Sequence, residues 1–255
     1  MFPSDESTLP VTGRLAGQRA VITGAARGIG AEIARTYARE GAQVFVLDID
    51  IGLASEVARS IGGHAAKVDL ADAASTATVL EQAIAGLGGI DILVNNAGIL
   101  RMAPLLDLTI ENWDTTFAVN TRAMFVTTQV AGRAMVAQGS GCIINMASMG
   151  GKLGSPNQAH YAASKAAVIS LTRVTAMELG AHNIRVNCIC PGYVLTEMGT
   201  ATRTPEMVEA WTAKSPLARL ATTTDVANMA LFLASAEADY CTGQAMNVSG
   251  GMVMH

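Results

Sequence analysis

The sequence has few charged residues and no surplus of basic ones. Charged side chains make up 15% of the 255 residues, and 17 Lys and Arg stand against 21 Asp and Glu, which gives a net charge of -4. The basic residues are scattered, so no stretch offers the dense positive charge that binding to a phosphate backbone requires. We therefore expect no nucleic-acid partner.

Long apolar runs are also missing, although half of the residues are apolar. No uninterrupted stretch reaches the roughly 18 residues of a membrane-spanning helix, so we expect no membrane partner. The opening residues, MFPSDESTLPVTG, contain acids and prolines but lack the basic and apolar regions of a secretory signal. We expect residues 1–13 to be a disordered lead-in and the protein to be cytoplasmic.

Cysteine and histidine are scarce, with four of each. No His stands near paired Cys or carboxylates at the spacing of metal ligands, so no metal is expected. Cys142, Cys188, Cys190 and Cys241 fall in or beside apolar, strand-like stretches, where cysteine behaves as a small buried hydrophobe. The C-x-C pair in RVNCICPG is expected to point to opposite faces of a sheet.

What the sequence does contain is a regular alternation of apolar strands and helical stretches. Its length suits one α/β domain with a large core, which we place at residues 14–255. The alternation predicts a Rossmann-like, doubly wound fold: a seven-stranded, mainly parallel sheet with helices on both faces. Right-handed crossovers would bring the loops after the strands to one edge. Strands are predicted near Ala20, Val44, Ala66, Leu93, Ile143, Val186 and Met246.

The amino-terminal third, RAVITGAARGIGAEIARTYAREGAQVFVLDID, indicates a strand, a glycine-rich turn, a helix and a second strand that ends in an acid. Gly24, Gly28 and Gly30 join the first strand to the helix, where backbone amides can approach a pyrophosphate. Glycines also make ordinary tight turns, but their position between strand and helix predicts a dinucleotide site.

Two residues of this unit bear on the choice of dinucleotide. Asp48 closes the second strand and suits an acceptor for the hydroxyl groups of the adenosine ribose. A carboxylate there would repel the extra phosphate of NADP, which predicts NAD as the cofactor. Arg27 lies within the turn and could contact that phosphate if it turned inward. The simpler interpretations are that Asp48 caps a helix and that Arg27 is solvated.

Ser148, Tyr161 and Lys165 have the spacing of a site for alcohol and carbonyl redox chemistry. Tyr161 and Lys165 lie four residues apart in a helical segment, so their side chains share one face. An ammonium beside a phenol lowers the phenol's pKa, which would suit Tyr161 to acid–base catalysis. Ser148 ends an apolar strand, from which its hydroxyl could bond a substrate oxygen. In isolation, such a Tyr–Lys pair is more often two exposed helix neighbours.

These motifs occur in the order typical of the short-chain dehydrogenase/reductase family, which the chain resembles over residues 13–251. The cofactor turn is TGAARGIG, followed by NNAG at 95–98 and PGYVLT at 191–196. The resemblance implies a catalytic tetrad of Asn120, Ser148, Tyr161 and Lys165, with Asn120 helping to hold a water that links Lys165 to solvent. The expected cofactor contacts are Gly24, Arg27, Gly28, Ile29, Gly30, Asp48, Asp69, Leu70, Asn96, Ala97, Gly98, Tyr161, Lys165, Pro191, Gly192, Val194 and Thr196.

The resemblance also implies how these parts would act. Asp69 would bond the adenine amino group, Thr196 the nicotinamide carboxamide, and Lys165 the nicotinamide ribose. A hydride would pass directly between the substrate and nicotinamide while Tyr161 exchanges the hydroxyl proton. A homotetramer is implied, in which helices over 109–138 and 161–179 pair between subunits.

The segment over residues 193–217 resembles the family's substrate-binding loop and helix. Met198, Met207 and Trp211 could wall an apolar pocket there or merely pack on the domain.

A second contribution to the substrate pocket is expected from the loop after Ser148. Its polar residues, Lys152, Asn157, Gln158 and His160, would suit a substrate rich in hydroxyls. Lys152 is nevertheless expected to be solvated, and His160 to be exposed as readily as in contact with substrate.

Three functions remain open from the sequence. Asp48 and the polar loop favour an NAD-dependent dehydrogenase of a polyol, sugar or related secondary alcohol. The length and the TGAARGIG turn also resemble an NADPH-dependent 3-oxoacyl-(acyl carrier protein) reductase, against which Asp48 counts. A cofactor-binding protein without catalysis is disfavoured by the complete tetrad.

Overall fold

A single parallel sheet forms the centre of the computed structural model, which describes residues 13–196 and 204–255. Within these residues, seven strands lie in the order β3-β2-β1-β4-β5-β6-β7, and every pairing is parallel. All seven lie where the apolar runs predicted them, which confirms the doubly wound fold. The strands are β1 Arg19–Thr23, β2 Gln43–Asp48, β3 His64–Lys67, β4 Ile92–Asn95, β5 Gly141–Met146, β6 Ile184–Pro191 and β7 Ala245–Val248.

Helices connect the strands and cover both faces of the sheet. They are α1 Gly28–Arg39, α2 Ile51–Ser60, α3 Ala73–Leu87, α4 Ile110–Phe117, α5 Ala123–Gln138, α6 Gly150–Leu153, α7 Ala159–Leu179, α8 Pro205–Ala213 and α9 Thr223–Ala234. A π-helical segment, Ala118–Arg122, joins α4 to α5 without a break. No helix in the described ranges combines the length and the apolar character that crossing a membrane would demand.

The core consists of two apolar layers, one on each face of the sheet. In β1, Ala20 and Ile22 pack in the layer that includes α1, α2 and α9. Val21 lies between them in sequence and packs in the opposite layer, with α3 and α5. Because both faces are covered, the strands are apolar at nearly every position rather than at alternate ones.

Most helices at the functional edge begin at a capping side chain, but α1 does not. Asp50 accepts from the Leu53 amide at the start of α2, and Asp72 accepts from two amides at the start of α3. At α1 the preceding residue is Arg27, whose side chain makes no capping hydrogen bond. The first amides of α1 are therefore left without a side-chain acceptor, as an anion-binding helix start requires.

The carboxyl-terminal segment packs on its own subunit, and Lys152 holds it there. Val253 is buried. Lys152 Nζ donates to the backbone oxygens of Ala245, at 3.0 Å, and His255, at 2.7 Å. The expectation that Lys152 is solvated was therefore wrong, because its partners lie about a hundred residues away in sequence and come near only through the fold.

The cysteines are free thiols, with Cys142, Cys188 and Cys190 buried and Cys241 half-buried. The expectation that Cys188 and Cys190 face opposite sides of the sheet was wrong, since residues two apart on a strand share a face. Both pack in one small apolar cluster with Val168. Within the described ranges, no group of three or more His, Cys, Asp or Glu is placed to hold a metal ion.

Candidate active site

The loops that follow the strands enclose a cleft of about 500 Å³ at one edge of the sheet. It lies where β1 and β4 are neighbours, which is the switch point of the strand order. Most of the predicted cofactor residues line it, namely Gly24, Arg27, Gly28, Ile29, Asp48, Asp69, Leu70, Asn96, Ala97, Gly98, Tyr161, Lys165 and Thr196. The lining also contains apolar residues that the motifs did not indicate, which are Ile49, Val68, Ile99, Leu100, Val119 and Met146. Most of these directly precede or follow a motif residue in sequence, which is the signal that could have found them.

At two positions of the turn, neighbouring backbone approaches so closely that only glycine fits. Gly24 has a φ of +62°, and a Cβ there would lie 2.6 Å from the Cα of Ala97. A Cβ on Gly30 would collide with the backbone oxygen of Gly24 and with the side chain of Asn96. Gly30 thus serves to pack α1 closely against the ends of β1 and β4. This approach brings the uncapped first turn of α1 to the wall of the cleft.

The carboxylate of Asp48 is fixed at the cleft by two backbone amides. Its Oδ2 accepts from the Ala26 amide and its Oδ1 from the Asp50 amide, each at 3.0 Å. Arg27 lies in the same part of the cleft, half-exposed, with its guanidinium 3.6 Å from the Asp50 carboxylate. The helix-capping role that the sequence left open for Asp48 belongs to Asp50 instead. Asp48 therefore presents a negative charge held in one place.

The NNAG motif ties β4 to the glycine turn. Asn96 Nδ2 donates to the backbone oxygens of Thr23, at 3.1 Å, and Gly24, at 2.8 Å. The Thr23 hydroxyl accepts from the backbone amides of Asn96 and Ala97. Asp69 lies in the loop after β3, where its Oδ1 accepts from the Ala71 amide at 2.9 Å. These bonds fix the NNAG motif against the glycine turn and hold the Asp69 carboxylate within its own loop.

The PGYVLT segment runs from the sheet edge into the cleft. Pro191 and Gly192 continue alongside β7, and Val194 forms a parallel bridge with Ala221. Of this segment, Thr196 reaches the cleft lining. The other predicted contacts of this segment, Pro191, Gly192 and Val194, do not belong to the cleft lining, and neither does Gly30 of the glycine turn.

Tyr161 and Lys165 meet in the cleft, as their spacing predicts. Lys165 Nζ lies 5.9 Å from the centre of the Tyr161 ring and donates to the backbone oxygen of Met146 at 2.7 Å. Ser148 Oγ accepts from the Gly150 amide at 3.0 Å, and the Ser148 hydroxyl is near enough to Tyr161 to affect the pKa of the phenol. One loop, one helix and one strand end thus hold the three side chains together.

The electrostatics of this group differ from what the sequence led us to expect. Burial raises the pKa of Tyr161 above its ordinary value, and the neighbouring Ser148 hydroxyl lowers it by less. Burial lowers the pKa of Lys165 to about 8. The net shift of the Tyr161 pKa is therefore upward, opposite to the direction that its spacing from Lys165 predicted.

Asn120 lies in the π-helical segment and is fully buried. Its Oδ1 accepts from the Ile99 amide at 2.8 Å, while its Nδ2 donates to the Ile99 oxygen at 3.0 Å and to Ser164 Oγ at 3.1 Å. The side chain is thus occupied in fixing the chain after NNAG and in joining the π segment to α7. A π turn within a long helix is a common feature of functional sites.

A buried polar network beneath the cleft was missed by the sequence reasoning. Asn95 Nδ2 donates to Asn145 Oδ1 at 2.9 Å, and Asn145 Nδ2 donates to the Thr172 hydroxyl at 2.9 Å. The Thr127 hydroxyl donates to Asn95 Oδ1 at 2.6 Å. The network joins β4 and β5 to α5 and α7 under the catalytic side chains. Its only sequence signal is an asparagine within an otherwise apolar strand.

The substrate side of the site departs from several expectations. Trp211 of α8 stacks on Tyr193 with ring centroids 4.2 Å apart and planes 8° apart, which favours packing on the domain over a pocket wall. Met207 is exposed. Met198 lies outside the described residues. Lys152 is bonded to the carboxyl-terminal segment and does not offer the polar contact to substrate that was predicted for it.

His160 also lies away from the substrate side, since its side chain is fully buried in the structure. It is neither exposed nor part of the cleft lining, which were the two expectations. Of the predicted polar loop, Asn157 is exposed and Gln158 is half-buried.

A second cavity, of about 570 Å³, lies between α9 and the carboxyl-terminal segment. It is lined by Tyr193, Phe232 and Met252 among others, and none of the tetrad residues belongs to its lining. We identify the smaller cleft as the functional site because it brings together the fixed carboxylate, the uncapped helix start and the Tyr–Lys pair.

A nicotinamide dinucleotide fits the residues of the cleft. Gly28 lines the cleft with a φ of +57°, which favours glycine, and the uncapped start of α1 suits a pyrophosphate. Asp48 offers fixed oxygens suited to ribose hydroxyls, and Tyr161 and Lys165 belong to the same lining. Fold and site together define an oxidoreductase that uses a nicotinamide cofactor.

Comparison with known proteins names the family. Residues 24–253 match a family model described as enoyl-(acyl carrier protein) reductase. The chain is 40% identical to a 3-oxoacyl-(acyl-carrier-protein) reductase of Thermotoga maritima, over 94% of this chain and 100% of that protein. It is 41% identical to galactitol 2-dehydrogenase of Agrobacterium fabrum, over 93% of this chain and 98% of that protein. The chain belongs to the short-chain dehydrogenase/reductase family, whose members oxidise secondary alcohols or reduce the corresponding ketones.

A solved structure of a relative bears on the cofactor. A putative NAD(P)-dependent gluconate 5-dehydrogenase from Beutenbergia cavernae superimposes with a TM-score of 0.89 at 43% identity, covering 93% of this chain and 97% of that one. That structure contains NADP at low occupancy. The comparisons thus include proteins named for polyol and for acyl substrates, and they leave the choice between NAD and NADP open.

Proposed function

We propose that this protein is an NAD-dependent dehydrogenase of a polyol, sugar or related hydroxylated small molecule. The observation that carries the choice of NAD is the fixed carboxylate of Asp48. Two amides hold its oxygens, so the charge cannot turn away from a ligand that approaches the adenosine ribose. Ribose hydroxyls can donate to this carboxylate, whereas a phosphate on the ribose would meet its charge at close range.

In this proposal each catalytic side chain has one task, and the bound nicotinamide supplies or accepts the hydride. Tyr161 exchanges the proton of the substrate hydroxyl, and the hydroxyl of Ser148 donates to the same oxygen. Lys165 exchanges protons near neutral pH, because burial lowers its pKa to about 8. Asn120 holds the segment after NNAG against α7 and so keeps the base of the site in place.

Fewer observations support the choice of substrate class than support the choice of cofactor. Lys152 is bonded to the carboxyl-terminal segment and His160 is buried outside the cleft lining, so Asn157 and Gln158 are what remains of the four polar side chains predicted for the substrate side. The name of the 41% identical galactitol 2-dehydrogenase supports a polyol.

The test of this proposal is the initial rate of cofactor reduction with purified protein. A panel of polyols, sugars and simple secondary alcohols is assayed with NAD and with NADP in parallel. We expect the highest kcat/KM with NAD and a polyhydroxylated alcohol, and a rate of oxidation that rises with pH as Tyr161 becomes a better proton acceptor. Turnover with NADP alone, or no turnover of any alcohol, would contradict the proposal.

A second candidate is an NADPH-dependent 3-oxoacyl-(acyl carrier protein) reductase. The half-exposed Arg27 favours it, because its ion pair with Asp50 is long at 3.6 Å and the guanidinium could turn to a phosphate. The 40% identity to such a reductase from Thermotoga maritima also supports it. Reduction of a short 3-oxoacyl thioester by NADPH, at a rate above that of any alcohol oxidation with NAD, would select this candidate.

We further propose that the chain acts as a cytoplasmic homotetramer, assembled through the outer face of α4, α5 and α7. Large apolar side chains are exposed on these helices in the single subunit, including Ile110 at 76%, Phe125 at 45% and Met177 at 75%. Burying such side chains between subunits would be favourable by roughly 25 cal/mol for each Å² of apolar surface. These helices are the ones expected to pair.

A charge on this face should break the assembly. We expect Met177→Glu to lower the sedimentation coefficient to that of a smaller species at micromolar concentration, because the carboxylate would be desolvated in the interface. Tyr240→Glu is the control for a charge added at an exposed position, since Tyr240 is fully exposed on a loop outside α4, α5 and α7 and its substitution should leave sedimentation unchanged. A wild-type monomer would reject the assembly outright.

A further inference from the structure

Two buried polar side chains next to the tetrad have no hydrogen-bond partner in the described structure. Thr116, on α4, and His160, at the start of α7, are both 0% exposed. Thr116 Oγ1 and both ring nitrogens of His160 lack a partner among the described residues. Leaving such groups unpaired is unfavourable, so native proteins pair them with protein atoms or with ordered water.

The topology places these two residues opposite each other. The connections from β4 to β5 and from β5 to β6 cross on the same side of the sheet, so α4 with α5 runs parallel to α7. Their register is fixed by Asn120, which donates to Ser164 Oγ at 3.1 Å. Four residues earlier on each helix, and therefore on the same faces, lie Thr116 and His160.

The electrostatics of His160 support this placement. Arg101 Nη1 donates to Asn112 Oδ1 at 2.7 Å, which places its guanidinium beside α4 one turn before Thr116. The same guanidinium is close enough to lower the pKa of His160, in addition to the larger effect of burial. His160 therefore stays neutral at physiological pH, with one ring nitrogen as donor and the other as acceptor.

We propose that Thr116 and His160 together bind a buried water molecule between α4 and α7 and thereby hold Asn120 in position. A hydroxyl and a neutral imidazole supply both donors and acceptors, which suits one water with two or more polar partners. The site lies one helical turn from the contact between Asn120 and Ser164. Thr116 and His160 are positioning residues in this proposal, since neither belongs to the lining of the cleft.

Thr116→Val tests the water site because the direction of its effect on stability depends on whether the hydroxyl binds a water. Valine keeps the shape of threonine and removes only the hydroxyl. If the hydroxyl binds a water, we expect the Tm to fall by about 2–4 °C, which is typical of the loss of one interaction in a domain of this size. If the hydroxyl has no partner, removing it should raise the Tm, and that result would overturn the proposal. Thr175→Val provides the reference, because its buried hydroxyl donates to the Leu171 oxygen at 2.8 Å.

A second variant and a crystal structure test the water site without relying on the Tm of Thr116→Val alone. His160→Phe should lower the Tm, and its effect should not add to that of Thr116→Val, because both changes remove the same water. Additive effects would overturn the shared site. A crystal structure of the wild type should show a water within 3.2 Å of Thr116 Oγ1 and a ring nitrogen of His160. A direct bond between the two side chains would overturn it.

The claim that the water site holds Asn120 in position for catalysis rests on the proposed function, so it is tested by kinetics. We expect Thr116→Val to lower kcat several-fold with the KM values for cofactor and alcohol unchanged, whereas Thr175→Val should leave kcat unaffected. A kcat within twofold of the wild type would overturn the link. The Tm and crystallographic tests need no substrate, so failure of the water site and failure of the proposed function can be distinguished.

Discussion

Replacing Tyr161 by Phe is expected to reduce kcat by about 100- to 10,000-fold, which is the range that a positioned acid or base contributes. The change removes only the phenolic oxygen, so the ring still fills its place in the cleft lining beside Lys165. The cofactor should bind as before, because the glycine turn, Asp48 and Lys165 are untouched. The measurements are kcat with the best alcohol and the Kd for NAD.

The wild type and a control locate the effect at the proton transfer. In the wild type, kcat for oxidation should rise with pH, since burial raises the pKa of Tyr161 and the phenol must lose its proton before it can accept one. The residual activity of the Tyr161→Phe variant should lack this dependence. Tyr193→Phe is the matched control. The variant keeps an aromatic ring that can stack on Trp211, and Tyr193 has no proposed role in proton transfer. Unaltered turnover in Tyr161→Phe would reject the mechanism.

Replacing Asp48 by Asn is expected to shift the preference between NAD and NADP by roughly 10- to 100-fold toward NADP. Two charges about 4 Å apart interact by about 1 kcal/mol in water and about 4 kcal/mol near a protein surface, and each 1.4 kcal/mol is a factor of ten. Asparagine keeps one oxygen to accept from the Ala26 or Asp50 amide, so the local structure should persist. The measurement is the ratio of kcat/KM for the two cofactors.

Asp69→Asn is the control for this selectivity. Asp69 lines the same cleft and carries the same charge, but its predicted partner is the adenine, which NAD and NADP share. Its substitution should weaken both cofactors alike and leave their ratio unchanged. If Asp48→Asn left the ratio unchanged as well, the argument for NAD would fail, and Arg27 would become the residue to test.

Local sequence patterns determined the fold and the chemical class. Apolar runs of strand length recur between helical stretches, and each of the seven strands forms where its run lies. The glycine turn predicts a dinucleotide site because strand, turn and helix are contiguous. The Tyr161–Lys165 pair is similarly local, since four residues of helix fix the distance between the two side chains.

Contacts between distant segments could not be inferred in this way. Lys152 binds backbone oxygens of Ala245 and His255, which its own neighbours in sequence do not indicate. Arg122, in the π-helical segment, donates to the Ala71 oxygen at 2.7 Å, across 51 residues of sequence. These bonds join segments that only the assembled fold brings together.

Burial and its electrostatic effects were likewise decided by the tertiary structure. The sequence predicts that Lys165 lowers the pKa of Tyr161, yet desolvation raises the pKa of Tyr161 and lowers that of Lys165. His160 could not be placed from helical periodicity alone, because the helix that covers it comes from another connection of the sheet. The sequence by itself determined the strands, the motifs and the reaction class, since each depends on neighbours along the chain. The tertiary structure decided which polar groups are buried and what they bind, because a hydrogen bond or a desolvation energy depends on segments that are far apart in sequence.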